Sequence, residues 1–313
     1  MRRSIRIGTR GSQLALTQSR WVQACLQRQH LPLEVELVTI TTSGDRFVEQ
    51  PLSAIGGKGL FVKEIEEALR AGSIDCAVHS MKDVPGELAP GLTIAAVPAR
   101  EDPRDVLITR DGVHLEALPR GARLGTSSLR RMALVRAARG DLEVTDLRGN
   151  VDTRLRKLAR GDFDAIVLAC AGLRRLGIQP SGMALLDPQQ FIPAIGQGAL
   201  AIESRTDETT ELLAPLDDAA TRLAVMAERG FLARAGGSCR TPLAAHATVH
   251  ENTLEMRALI ASPDGRQVVR GERRSSVATA AALGTELAEE LLARGGAEIL
   301  QALGISSTGA HNQ

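Results

Sequence analysis

Two hydrophobic periods alternate along most of the chain, and that alternation limits the fold more than any other feature. "SIRIGTR" at residues 4–10 alternates apolar and polar positions as a strand does, and "SQLALTQSRWVQACLQRQ" at 12–29 switches to the spacing of an amphipathic helix. "LEVELVTITT" at 33–42 returns to the strand period. "LFVKEIEEALRAG" at 60–72 reads as a helix closed by Gly72, and "DCAVHSMKDV" at 75–84 as a buried strand running into a polar turn. A second set follows "AREDPRD": strands in "DVLITR" and "ARLGTSS", a helix in "SLRRMALVRAARG", a strand in "LEVTDLRG", a helix in "DTRLRKLARG" and a strand in "FDAIVLACAG" at 163–172. Strand, helix, strand in this order predicts an α/β fold with mainly parallel sheets. Past "FIPAIGQGALAIES" the pattern changes. Residues 217–313 offer a long helix ending near Gly236, three strand-like runs within 244–275 and a last helix over 281–300, which predicts a small α+β domain.

A chain of 313 residues is long enough for two or three domains, each with its own core. Cys25, Cys76, Cys170 and Cys239 are scattered, with no C-x-x-C and no nearby His at ligand spacing, which argues against a disulfide framework or a zinc site. The N-terminal stretch enters the strand pattern at once and offers no apolar signal core, and no later run approaches a membrane span. These features predict a cytoplasmic protein. A net charge of +1 excludes a generally basic, nucleic-acid-coating chain. Of the 38 basic residues, only Lys58, Lys63, Lys82 and Lys157 are lysine, a bias that codon usage explains.

Open α/β sheets bind ligands beyond the carboxyl ends of their strands, so two such domains predict a cleft whose chemistry lies in strand-to-helix loops. Arg10 and Ser12 in "GTRGSQLAL" fall where helix amides favour an anion, although Ser12 alone is an ordinary N-cap. Thr126, Ser127 and Ser128 crowd a second helix start, followed at once by Arg130 and Arg131. Arginines in a first turn oppose the helix dipole, a broken local rule that predicts an anionic ligand. "DLRGNVDTRLRKL" repeats the arrangement with Arg148, Asn150 as a candidate cap, and Arg154; Arg156 and Lys157 read as a solvated face. Arg174 and Arg175 follow a strand in "ACAGLRRLG". Arginine's planar fork grips carboxylate or phosphate, and with no phosphate-loop or dinucleotide fingerprint in the chain, a polycarboxylate is the expected ligand. Asp83 in "AVHSMKDVPG", beside Ser80 and Lys82, is the candidate acid–base group. His79 alternates to the other side of that strand and reads as a structural hydrogen-bonder.

"GGKGLFVKEIE", "AVHSMKDVP", "REDPRDVLI", "GTSSLRR", "LRGNVDTRL", "DAIVLACAGLRRLG", "PAIGQGALAIE" and "ERGFLARAGGSCRTPL" together resemble the porphobilinogen deaminases, in the same order over essentially the whole chain. The resemblance implies a transferase that condenses four porphobilinogens head to tail into hydroxymethylbilane, releasing ammonia at each addition. It implies a dipyrromethane cofactor joined by a thioether to Cys239. Two periplasmic-binding-protein-like (type II) α/β domains are expected, a discontinuous domain 1 over 1–99 and 196–216 and domain 2 over 100–195. A small α+β domain over 217–313 would carry the cysteine. Asp83 aligns with the family's catalytic aspartate. Ser80, Lys82, Thr126, Ser128, Arg130, Arg131 and Arg148 are assigned to the cofactor, and Arg10, Ser12, Phe61, Asn150, Arg154 and Arg175 to substrate. No metal, nucleic acid or membrane is implied, and the protein is expected to be monomeric.

The implied chemistry fits the residues, since each porphobilinogen carries an acetate and a propionate but no phosphate. Loss of ammonia leaves a cationic pyrrole that a carboxylate can stabilise. Two positions depart from the family pattern: Ala54 stands where a lysine is common, and Ser238 where glycine often precedes the cysteine. The rival reading is a non-catalytic two-domain binder of polycarboxylates, which would need neither Cys239 nor Asp83. Hydrolysis by a Cys239 nucleophile lacks a partner histidine motif.

Overall fold

The computed structural model of the protein describes residues 4–46, 62–237 and 241–305. The chain opens with β1 (Ser4–Thr9), α1 (Gln13–Gln29), β2 (Glu34–Thr39), α2 (Ser43–Arg46), α3 (Lys63–Arg70), β3 (Cys76–Ser80) and β4 (Leu92–Ala96). β1 runs parallel to β2 on one side and to β3 on the other. α1 starts where it does because the Ser12 hydroxyl accepts from the Ala15 amide at 3.3 Å. Its buried positions, among them Ala15, Gln18, Val22, Cys25 and Leu26, recur at helical spacing, and Val22 and Leu26 meet Ile5, Ile7 and Val78 of the sheet. Full burial of each such aliphatic side chain contributes about 1.5–3 kcal/mol.

The arrangement then repeats with β5 (Asp105–Thr109), β6 (Arg123–Gly125), α4 (Leu129–Ala138), β7 (Glu143–Thr145), α5 (Val151–Ala159), β8 (Ala165–Ala169), α6 (Cys170–Arg175) and β9 (Met183–Leu185). The sheet order is β7-β6-β8-β5-β9, with β6 parallel to both neighbours and β5 antiparallel to both of its own. The chain next supplies β10 (Leu200–Arg205) and α7 (Thr209–Leu213). β10 lies between β3 and β4, antiparallel to each, and completes the order β2-β1-β3-β10-β4. The two sheets therefore share one topology, and the expectation of mainly parallel sheets needs amending, because in each the fourth strand runs against the first three. The run 163–172, read as a strand throughout, leaves the sheet after Ala169 and turns into α6. An apolar run of this length satisfies either structure, and here the Cys170 amide donates to the Arg104 carbonyl at 3.0 Å where the helix begins.

The remaining elements are α8 (Ala219–Ala235), β11 (Leu243–His250), β12 (Thr253–Ala261), β13 (Val268–Ser276), α9 (Ala280–Leu291) and α10 (Ala297–Ala302). β11, β12 and β13 form an antiparallel meander. One face meets α8 and α9 through Phe231, Met256 and Leu287, while Ala244, Leu259 and Ala261 join the core of the second sheet with Leu124, Val135 and Phe191. The single last helix expected over 281–300 is broken at 292–296, where Gly295 takes φ +105°. By contacts the chain divides into two compact units, Met1–Glu101 with Ala199–Arg222, and Asp102–Gly198 with Leu223–Gln313.

Candidate active site

Parallel strands end at a common edge, and the predicted site residues of the first unit gather at that of its sheet. β1 and β3 pair Ile7 with Cys76 and Gly8 with Ala77, so Arg10 and Ser80 leave the sheet together. Ser80 Oγ accepts from Gln18 Nε2 at 3.1 Å, and Gln18 is buried on α1. Beyond Ser80, Met81–Asp83 makes one 3-10 turn, held by donation from the Met81 amide to the Ala199 carbonyl at 3.0 Å. That turn sends Met81 into the core and leaves Lys82 and Asp83 half-buried at the rim. The Asp83 carboxylate has no hydrogen-bond or ion-pair partner among the described residues. Ser12 serves as the α1 cap. His79 faces the other way, Nε2 lying 3.0 Å from Glu203 Oε2 in the interior.

The second sheet carries the other predicted residues at the matching edge. β6 ends at Gly125, followed by Thr126, whose Oγ1 accepts from the Ser128 amide at 3.3 Å, and by Ser128, whose Oγ caps α4 by accepting from the Arg131 amide at 3.4 Å. β7 leads to Arg148, which donates through Nε to Asp146 at 2.9 Å. Asn150 holds the cap position of α5 but makes no side-chain cap bond, while Arg154 Nε donates to the Gly149 carbonyl at 2.7 Å. Arg175 lies on α6 and donates to the Gly198 carbonyl at 2.7 Å; its neighbour Arg174 is 3.1 Å from Asp102. Arg156 lies on the exposed face of α5, as expected, whereas Lys157, read with it as solvated, is half-buried and donates to the Arg148 carbonyl at 3.3 Å.

The two arginines that break the helix-dipole rule do meet an anion, but it belongs to the protein. Arg130 and Arg131 are buried, and both donate to Asp105, the fully buried first residue of β5. Burial alone would raise the Asp105 pKa, yet the two guanidiniums outweigh it and hold the carboxyl well below the usual range. Burial lowers the Arg131 pKa against the pull of Asp105. Two cations against one carboxylate leave this cluster with a surplus positive charge. The Arg130 Nε is buried with no hydrogen-bond partner among the described residues. A buried donor left this way costs about 1–3 kcal/mol unless something else accepts from it.

Sequence reasoning passed over Asp105, Gln18 and Gln197. A polar Gln18 on the apolar stripe of α1 was the one available signal; Asp105 is invisible without knowing what faces it. Phe61 and Cys239 lie outside the described residues, as do Ala54 and Ser238. The described chain reaches the cysteine loop through Gly236, which ends α8 at φ +68°, and Gly237, where a Cβ would collide with the Leu243 side chain. Cys25, Cys76 and Cys170 are buried and form no disulfide among the described residues. No described helix is long and apolar enough to cross a membrane, and no group of three or more His, Cys, Asp or Glu among the described residues could hold a metal ion.

The edge of the first sheet offers a carboxylate at the end of a buried strand, and that of the second, taken by itself, an excess of guanidiniums that suits an anionic ligand. Comparison with known proteins points the same way. A family model described as "Porphobilinogen deaminase, dipyromethane cofactor binding domain" matches residues 5–212, and "Porphobilinogen deaminase, C-terminal domain" matches 222–293. The porphobilinogen deaminase of Syntrophotalea carbinolica is 55% identical over 307 residues, covering 97% of this chain and 98% of that protein. Its counterpart in Roseiflexus castenholzii is 54% identical over 302 residues, covering 96% and 99%. Among solved structures, the periplasmic aliphatic sulphonate binding protein SsuA from Escherichia coli aligns over 75% of this chain and 70% of its own, at 16% identity and a TM-score of 0.39. The chain belongs to the porphobilinogen deaminase family, with the dipyrromethane cofactor binding domain over residues 5–212, which holds the two five-stranded α/β sheets, and the family's C-terminal domain over 222–293.

Proposed function

We propose that the protein condenses four porphobilinogen molecules into the linear tetrapyrrole hydroxymethylbilane, acting as a cytoplasmic monomer. The observation that carries this reading is Asp83, a half-buried carboxylate at the end of a buried strand with no partner among the described residues. The chemistry needs such a group. When the substrate's ammonium leaves as ammonia with the C–N electron pair, positive charge spreads to the pyrrole nitrogen. Asp83 accepts hydrogen bonds from pyrrole N–H groups, stabilises that charge, and takes the proton released when the new C–C bond forms. Such acid–base help is worth about 10²–10⁴ in rate.

The donor set suits the cofactor. The surplus charge around Arg130 and Arg131 and the unpartnered Arg130 Nε call for a ligand carboxylate, which the acetate and propionate arms of a dipyrromethane provide. When bound, the dipyrromethane supplies the free pyrrole α-carbon from which the product grows. Cys239 holds it by a thioether, and Ser80, Lys82, Thr126, Ser128, Arg130, Arg131 and Arg148 bind its arms. Arg10, Ser12, Asn150, Arg154 and Arg175 bind the arms of incoming substrate, and Phe61 offers it an aromatic contact. A non-catalytic polycarboxylate binder would have no use for an unpaired Asp83 or for a covalent anchor.

The intact mass of the purified chain under denaturing conditions tests this reading. An excess equal to two linked pyrrole units is the expected result. A mass equal to the sequence alone, in protein that also releases no ammonia from porphobilinogen, would overturn it.

A further inference from the structure

We propose that Asp105 is a positioning residue, which clamps Arg130 by one edge of its guanidinium so that the other edge is presented, fixed, to a ligand carboxylate. The inference rests on the reading that Arg130 binds a pyrrole arm, and it adds a residue that touches no ligand itself.

The hydrogen bonds divide the guanidinium unequally. Arg130 Nη1 donates to Asp105 Oδ2 at 2.7 Å and to the Ile192 carbonyl at 2.8 Å, which uses both of its hydrogens. Nε and Nη2 have no partner among the described residues, and these two atoms form the side-on fork that matches a carboxylate bidentately. Arg131 is far more fully used. Its Nε and Nη2 donate to Asp105 Oδ1 at 3.1 and 2.8 Å, and its Nη1 to the Val167 carbonyl at 3.0 Å.

The clamp is itself held in place. Gln197 Nε2 donates to Asp105 Oδ1 at 2.9 Å and to the Pro103 carbonyl at 2.7 Å, so the carboxylate cannot rotate away from its arginines. Every member of the cluster is at least nine-tenths buried, so the surrounding packing limits how far the guanidiniums swing. Asp105 also cancels only one of the two charges. One ligand carboxylate would neutralise the remainder and fill the open fork in the same act, whereas an apolar isostere at 105 would leave two buried cations repelling each other.

The test uses Asp105→Glu, Gln197→Met and Arg130→Lys in the full chain, each purified and measured for intact denatured mass, melting temperature, kcat and KM. Asp105→Glu keeps the charge but moves both guanidiniums by about one methylene, and a shift of that size is expected to raise KM about tenfold with a smaller change in kcat. The fraction of chains carrying the two-pyrrole mass should fall with it. Gln197→Met removes the neutral brace, together with its contacts to Arg131 and the Pro103 carbonyl, and should move both readouts the same way by a smaller factor. A lower melting temperature with wild-type KM and full loading in Asp105→Glu would make Asp105 merely structural and overturn the proposal. If that variant does not fold, wild-type KM and loading in Gln197→Met overturn it instead. Arg130→Lys separates the two levels: normal KM and loading there remove Arg130 from the site altogether, while impairment there beside a normal Asp105→Glu removes only Asp105.

Discussion

His79 Nε2 lies 3.0 Å from Glu203 Oε2 inside the first sheet, joining two strands whose residues are 124 apart in sequence. Both side chains are almost wholly buried, and Glu203 Oε1 has no hydrogen-bond partner among the described residues. Burial, and then the charge of Glu203, raise the pKa of nearby Glu66. Removing the histidine therefore strands a carboxylate. His79→Leu is expected to cost about 3–5 kcal/mol in urea unfolding, with much of it recovered in His79→Leu/Glu203→Gln. Turnover per cofactor-bearing molecule should not change, because His79 points away from the rim that carries Asp83; a selective loss of turnover would give His79 a role in the reaction.

Asp83→Asn keeps shape and hydrogen-bond reach but cannot hold a proton or balance a cation. The variant should retain the two-pyrrole mass while kcat falls by about 10²–10⁴, as expected for loss of a positioned acid–base group. Single-turnover ammonia release measures it. Near-normal turnover would take Asp83 out of its role.

Cys239→Ala should carry no pyrrole after denaturation, because no other thiol is placed to replace it: Cys25, Cys76 and Cys170 are all buried. Mass spectrometry and loss of pyrrole absorbance check this. Pigment that stays with the denatured variant would contradict the anchor.

Asp102 gives a prediction in acid. A hydrogen bond from Arg104 holds its carboxyl down to about 2, and the charge of Arg174 adds to the effect. The folded pKa lies below the unfolded value of about 4, so this stabilisation is complete above about 4 and is lost as pH falls toward about 2. In Asp102→Asn that titration is absent, and melting temperatures measured across the same window should fall less steeply than in the wild type.

Gly284 lies where α9 crosses α8, and a Cβ there would collide with the Ala227 carbonyl and come within 2.8 Å of the Phe231 amide. Backbone atoms cannot yield as a side-chain tip does. Gly284→Ala is expected to destabilise the C-terminal domain by about 1–3 kcal/mol despite its better helix propensity. Thermal unfolding followed by circular dichroism reads the effect, and an unchanged melting temperature would mean that the helices separate freely.

Local chemistry is what the sequence determined. Period-two and helical spacings placed most strands and helices, since which face of an element is apolar is written in neighbouring residues. The loops after the parallel strands were legible for the same reason, so Asp83, Ser80 and the arginines could be named, and the blocks from "GGKGLFVKEIE" to "ERGFLARAGGSCRTPL" gave the family. The tertiary structure decided what no local pattern encodes. It set β5 and β10 antiparallel in the fourth place of their sheets, and it ended a continuous apolar run at Ala169. It also supplied the partners: Gln18 for Ser80, Glu203 for His79, and Asp105 for the arginines whose place in a first helical turn predicts a ligand alone. A buried polar group must find its counter-charge or acceptor wherever the fold delivers one, and for Asp105 the partners stand 25, 26 and 92 residues away. That distance is why a broken rule at Arg130 and Arg131 was visible in the sequence while its compensation was not.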